Sequence, residues 1–193
     1  MNTEKLNALK DRAYKTAVAH GFHEEERPDA FWLGLVMSEM GEAINADQKG
    51  WHADAKGFEE IVATDKDFLL DENFERYIKD SVEDELADVV IRLFDFAGLK
   101  GYELSVTSYD LLINHSLLLT LKKCGLPGVL FQLISALSNA FYNDLTKSCI
   151  NSLIGILSNH FETMTGSDKD LWWFVDQKMQ YNEQRPKLNG KEY

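Results

Sequence analysis

Only three prolines, Pro28, Pro127 and Pro186, interrupt 193 residues. A chain so free of residues that break hydrogen-bonded ladders can run in long helices. The apolar residues recur at helical spacing almost throughout. Leu6, Leu9, Ala13 and Ala17 predict a first helix from about Glu4 to Ala19, ended by Gly21. Pro28 or Asp29 opens a second, with Phe31, Leu35, Met37–Met40 and Ile44 on its apolar face and Lys49-Gly50 at its close. Ser81 leads into a third, reaching about Leu99 on Val82, Leu86, Val89, Val90, Leu93, Phe94 and Ala97. Further helices are expected over Leu111–Leu121, Val129–Phe141 and about Thr146–Phe161, with a break at Gly125-Leu126-Pro127-Gly128. Ser167 is the expected cap of the last helix, which carries Trp172 and Trp173 and runs to about Gln184. Trp51 to about Lys79 reads as a loop with one or two short helical turns, packed as a flap beside the core. No repeat and no domain linker stands out, so one all-α domain over residues 1–193 is the simplest account.

Charge narrows the range of partners. The formal net charge is −12. A broad basic surface for nucleic acid is not expected. Cys124 and Cys149 stand far apart in no metal-ligand pattern and read as reduced thiols. Residues 1–20 lack the apolar core of a signal peptide. The apolar region Leu111–Leu137 is broken by His115, Lys122, Lys123, Gly125 and Pro127, which argues against a membrane span. The expectation is a soluble, cytoplasmic protein.

Two acidic pairs carry the chemistry: Glu39-Met-Gly-Glu42 and Glu85-Leu-Ala-Asp88. Residues three apart on a helix are neighbours, so each pair can aim two carboxylates at one point. If the two helices pack together, four carboxylates converge and repel unless a cation sits among them. Lone pairs of this kind are common on solvated helix faces. Here both lie among apolar residues, where charges must be paired or bind metal. Glu83 and Asp84 read as pointing elsewhere on the helix, into solvent. None of His20, His23, His52, His115 or His160 lies three residues after an acid, unlike the Glu-x-x-His pairs of di-iron bundles. An all-oxygen site favours Mg2+, with Mn2+ as the other candidate. The C-terminal segment adds cations and hydrogen-bond donors: Lys178, Tyr181, Asn182, Arg185, Lys191 and Tyr193. Such groups beside a metal–carboxylate site suit a polyphosphate, though basic residues also favour any helix C-terminus.

The ordered combination of ExxE, ExxD and this ending resembles the MazG-like nucleotide pyrophosphohydrolases, the all-α NTP pyrophosphatase group that includes dimeric dUTPases. The likeness lies in Leu35-Val36-Met37-Ser38-Glu39-Met40-Gly41-Glu42-Ala43, in Glu83-Asp84-Glu85-Leu86-Ala87-Asp88-Val89-Val90-Ile91-Arg92, and in the segment from Lys178 to Tyr193. It covers about residues 28–100 and 170–193. The resemblance implies a helical bundle with a four-helix core and extra helices. Residues 51–79, between the two acidic helices, and 102–166 would be insertions. It further implies that Glu39, Glu42, Glu85 and Asp88 hold Mg2+, which activates a water for attack at the α-phosphorus of a (d)NTP. The products would be a (d)NMP and pyrophosphate. Lys178, Tyr181, Asn182, Arg185 and Lys191 would bind phosphate, and Trp51 and His52 are candidates for the base. Trp32 reads as core. A His often found near the end of family members is Asn189 here. The chain would form a homodimer or higher homo-oligomer. The other readings are a catalytically silent nucleotide- or metal-binding module and a helical interaction protein.

Overall fold

The computed structural model describes residues 1–65, 68–105 and 111–187, with side chains from residue 119 onward in the last of these stretches. The described residues form eight helices and no strand: α1 (Thr3–Ala19), α2 (Asp29–Lys49), α3 (Ala55–Thr64), α4 (Leu70–Tyr77), α5 (Val82–Leu99), α6 (Leu111–Tyr142), α7 (Thr146–Thr165) and α8 (Leu171–Gln184).

Local chemistry sets most boundaries. Asn2 Oδ1 accepts from the Lys5 N–H and caps α1. Gly50, at φ 66, takes the left-handed conformation that closes α2. Ser81 Oγ accepts from the Asp84 N–H and starts α5. The last helix starts later than expected. Asp170, not Ser167, is its cap, through Oδ1 and the Trp173 N–H at 2.9 Å. A carboxylate at that position also meets the positive end of the helix dipole.

Helix α5 lies at the centre, packed on α1, α2, α7 and α8. Its residues Leu86, Val89, Val90, Leu93 and Phe94 are fully buried. Gly98 lets α1 approach closely, because a Cβ there would lie 2.5 Å from Tyr14 Cβ. The N-terminal helix is thus part of the central packing, outside the 28–100 and 170–193 core expected from the sequence.

The described parts of the two expected insertions are largely helical and contribute to the core. Instead of a loop flap, residues 51–79 contain α3 and α4, which pack on each other, and α4 also packs on α8. Phe58, Phe74 and Ile78 are buried, and Phe74 stacks on Tyr181 with ring centroids 4.5 Å apart. In the second region α6 pairs with α7 and also touches α2. The expected break falls at Gly125, whose φ of 65 and ψ of −166 depart from helical values. Pro127 follows in the next turn, where it needs no preceding helical partner. Leu119–Tyr142 is long and apolar enough to cross a membrane by length and composition. Leu126, Val129, Leu130, Leu133 and Leu137 from that stretch are buried in the protein core, while Leu119, Phe131 and Tyr142 are exposed.

Candidate metal and phosphate site

The packing of α2 on α5 brings the acidic pairs together. Oxygens of Glu39, Glu85 and Asp88 lie within 4.8 Å of one another. Glu39 and Glu85 are buried and Asp88 is half-buried. Glu42 is exposed, with Oε1 accepting from Ser38 Oγ at 3.4 Å. It lines the same cavity of about 320 Å³ without joining the tight cluster.

Two cations answer part of this charge. Arg92 Nε donates to Glu39 Oε1 at 2.9 Å. Lys178 Nζ, from α8, lies 2.8 Å from Asp84 Oδ2 and 2.8 Å from Asp88 Oδ2. Burial alone would lower the Lys178 ammonium, but Asp84 and Asp88 outweigh it and raise its pKa. Arg92 behaves the same way: burial lowers it, and Glu39 and Asp88 raise it by more.

The carboxylates remain under-compensated. Burial, then the charges of Asp84 and Asp88, push Glu85 from its ordinary 4.5 up to about 9. Burial likewise raises Glu39, with Asp88 adding to the effect and Arg92 opposing it. Asp84 rises to about 6, chiefly through burial, which outweighs its pairing with Lys178. Without a further cation, the cluster resolves its repulsion by holding protons.

Glu83 and Asp84 are not solvated, contrary to the sequence expectation. Both are buried. Glu83 accepts from the Ala53 N–H and pairs with His52 Nδ1, each at 2.9 Å. It therefore pins the chain after α2 to the start of α5. Asp84 Oδ2 accepts from the Asp80 N–H at 3.0 Å and from Lys178.

The other expected ligand residues divide. Tyr181, Asn182 and Arg185 line the cavity with Lys178. Tyr181 OH donates to Glu75 Oε1 at 2.7 Å, and the Arg185 guanidinium lies over the Tyr181 ring. Asn182 Oδ1 is buried and has no protein partner. Lys191, with Asn189 and Tyr193, lies outside the described residues. Trp51 and His52 do not line this cavity. Trp51 is half-exposed under Lys49 Nζ, 4.2 Å from its ring centroid, and His52 is engaged by Glu83. Trp32 is core, as expected, with its ring against His23.

Sequence reasoning missed Arg92, Asp80, His20 and the His23–Asp95 pair. Arg92 follows Asp88 by four residues and Glu85 by seven, which is the same helix face. That spacing was a usable signal for Arg92. His20 bridges Thr16 O and Arg185 O at 2.8 Å each, and nothing local to α1 announces this contact. His23 Nε2 lies 2.7 Å from Asp95 Oδ1 across 72 residues of chain.

Comparison of the chain with protein-family models, with curated proteins and with solved structures finds no match.

Proposed function

We propose that this protein is a Mg2+-dependent nucleoside triphosphate pyrophosphohydrolase, cleaving a (d)NTP to a (d)NMP and pyrophosphate. The observation that carries the reading is the convergence of Glu39, Glu85 and Asp88 oxygens within 4.8 Å, on a cavity that also holds Lys178, Asn182 and Arg185. The MazG-like pattern of the sequence supports the choice of reaction.

The residues fit a hard divalent ion. All the donors are oxygens, the preference of Mg2+ and Mn2+. Their charge exceeds that of the two paired cations, and Glu85 is driven to a pKa of about 9 where they crowd together. Glu39, Glu85 and Asp88 would hold the ion, with Glu42 beside them. A bound ion supplies charge for the triphosphate and a lowered pKa for a water aimed at the α-phosphorus.

The remaining groups act on the substrate directly. An ammonium has three donors. Asp84 and Asp88 take two from Lys178, and the third serves a phosphate oxygen. Asn182 and Arg185 line the cavity, where the Asn182 amide N–H can donate to a phosphate oxygen and Arg185 adds positive charge. Burial of Glu39 and Glu85 argues against the reading in which the acidic pairs are only a solvated face of an interaction protein.

The test is pyrophosphate release from a panel of canonical and modified (d)NTPs, with Mg2+ omitted as control. Glu39→Gln and Asp88→Asn should each abolish turnover. Nucleotide binding without any pyrophosphate release would favour the catalytically silent module instead.

A further inference from the structure

Two cations on the cavity wall are already committed to carboxylates. Lys178 is held by Asp84 and Asp88, and Arg92 by Glu39. Lys79, at the turn between α4 and α5, lines the same cavity. Among the described residues its ammonium meets only Glu75 Oε1, at 3.5 Å, the outer limit of a hydrogen bond. An ammonium has three donors, so most of the capacity of Lys79 is left for a ligand. Its backbone, by contrast, is fixed beside the site. The Lys79 N–H donates to Phe74 O at 2.9 Å, and the next residue, Asp80, donates its N–H to Asp84 Oδ2 at 3.0 Å.

We propose that Lys79 is a further ligand of the triphosphate, with Glu75 occupying its ammonium until the substrate enters. The inference deepens the function given above and rests on it. A triphosphate is best met by a cation that is not already spent on carboxylates, and Lys79 supplies one on a flexible stem. Glu75 stands where phosphate would compete. The same Oε1 that meets Lys79 accepts from Tyr181 OH at 2.7 Å, and both donors belong to the cavity wall. Tyr181 and then Lys79 hold Glu75 below its ordinary 4.5, so it is ionised at neutral pH. The Lys79 and Glu75 side chains are 34% and 53% exposed, which makes theirs a loose pair that water screens. A phosphate oxygen can take the ammonium from Glu75 at little cost to the fold. Residues 51–79, expected as an insertion, then contribute to the site itself.

The experiment is calorimetric titration of the full chain with inorganic tripolyphosphate in Mg2+, for wild type, Lys79→Gln, Lys79→Arg and Glu75→Gln. Lys79→Gln should bind roughly tenfold more weakly, the loss of one charge-assisted contact. Lys79→Arg should recover most of that loss. Glu75→Gln should bind at least as tightly as wild type, since a competing charge is removed while the amide oxygen still accepts from Tyr181. Opposite signs separate a ligand from a strut. If Lys79 served only to anchor α4 through Glu75, both Gln variants would lose affinity together. That result overturns the proposal, and so does unchanged affinity in Lys79→Gln. A wild type that binds no tripolyphosphate also overturns the role of Lys79, while pyrophosphate release from the (d)NTP panel decides separately the function it rests on.

Discussion

Lys178 on α8 and Asp84 on α5 form a buried ion pair, Nζ to Oδ2 at 2.8 Å, with side-chain exposures of 7% and 1%. The pair joins two helices separated by 94 residues of chain. It also fixes where the acidic cluster stands, since the same ammonium reaches Asp88. Lys178 is therefore a structural counter-ion as well as a candidate phosphate ligand.

Removing the ammonium should be costly. Lys178→Met leaves Asp84 buried without its cation, and breaking such a pair from one side costs about 3–5 kcal/mol. Urea unfolding of Lys178→Met should show this loss. Pairing it with Asp84→Asn should recover part of the loss, because no uncompensated charge then remains at residue 84.

The metal-free protein should lose stability as pH rises. Glu85 moves from an ordinary 4.5 to about 9 in the fold, by burial first and then by Asp84 and Asp88. The folded state therefore binds a proton that the unfolded state has released between these values. Its contribution is fully present below about 4.5 and is lost as pH climbs through about 9. Thermal unfolding in EDTA should fall across this window. Glu85→Gln should flatten that slope. Added Mg2+ should stabilise more at pH 8 than at pH 6, since binding displaces the proton.

The helices and the acidic pairs were legible because each is local. Spacing gave the buried face of α5. On α2 the buried face is Trp32, Leu33, Val36, Met40, Ala43 and Ala46, while the expected Phe31 is exposed and Leu35, Met37 and Ile44 are half-buried. Gly50, Ser81 and Pro186 marked the ends they were expected to mark. The missed features are products of packing. Glu83 and Asp84 look like ordinary acidic residues in the first turn of a helix, where the dipole favours them. Only the arrival of Ala53, His52 and Lys178 from distant segments buries them with partners. The same holds for residues 51–79, where irregular composition concealed two short helices. Those helices are held by Phe58 and Phe74 contacting Trp173 and Tyr181 of α8.

Two glycines should respond in opposite directions to the same substitution. Gly98→Ala puts a methyl group 2.5 Å from Tyr14 Cβ and 2.7 Å from its Cγ, in the α1–α5 contact. Overpacking of this kind costs about 1–3 kcal/mol. Gly34, inside α2, has nothing within 4 Å of an added Cβ. Gly34→Ala should stabilise by up to about 1 kcal/mol through helix propensity. Calorimetric melting of the two variants checks both signs, and equal shifts would contradict the close approach of α1 to α5.

Asn182 separates binding from folding. Its Oδ1 is buried on the cavity wall with no protein partner, so losing that acceptor costs the fold little. Asn182→Ala should leave the urea midpoint within about 0.5 kcal/mol of wild type, or raise it, since an unsatisfied polar group is removed. If the amide N–H donates to a bound triphosphate, the variant loses one hydrogen bond, worth about 0.5–1.5 kcal/mol. That corresponds to roughly a 2- to 13-fold weaker nucleotide affinity. Calorimetric titration with a non-hydrolysable nucleoside triphosphate in Mg2+ measures it. Unchanged affinity would remove Asn182 from the phosphate-binding set, and a large drop in stability would assign it to the fold.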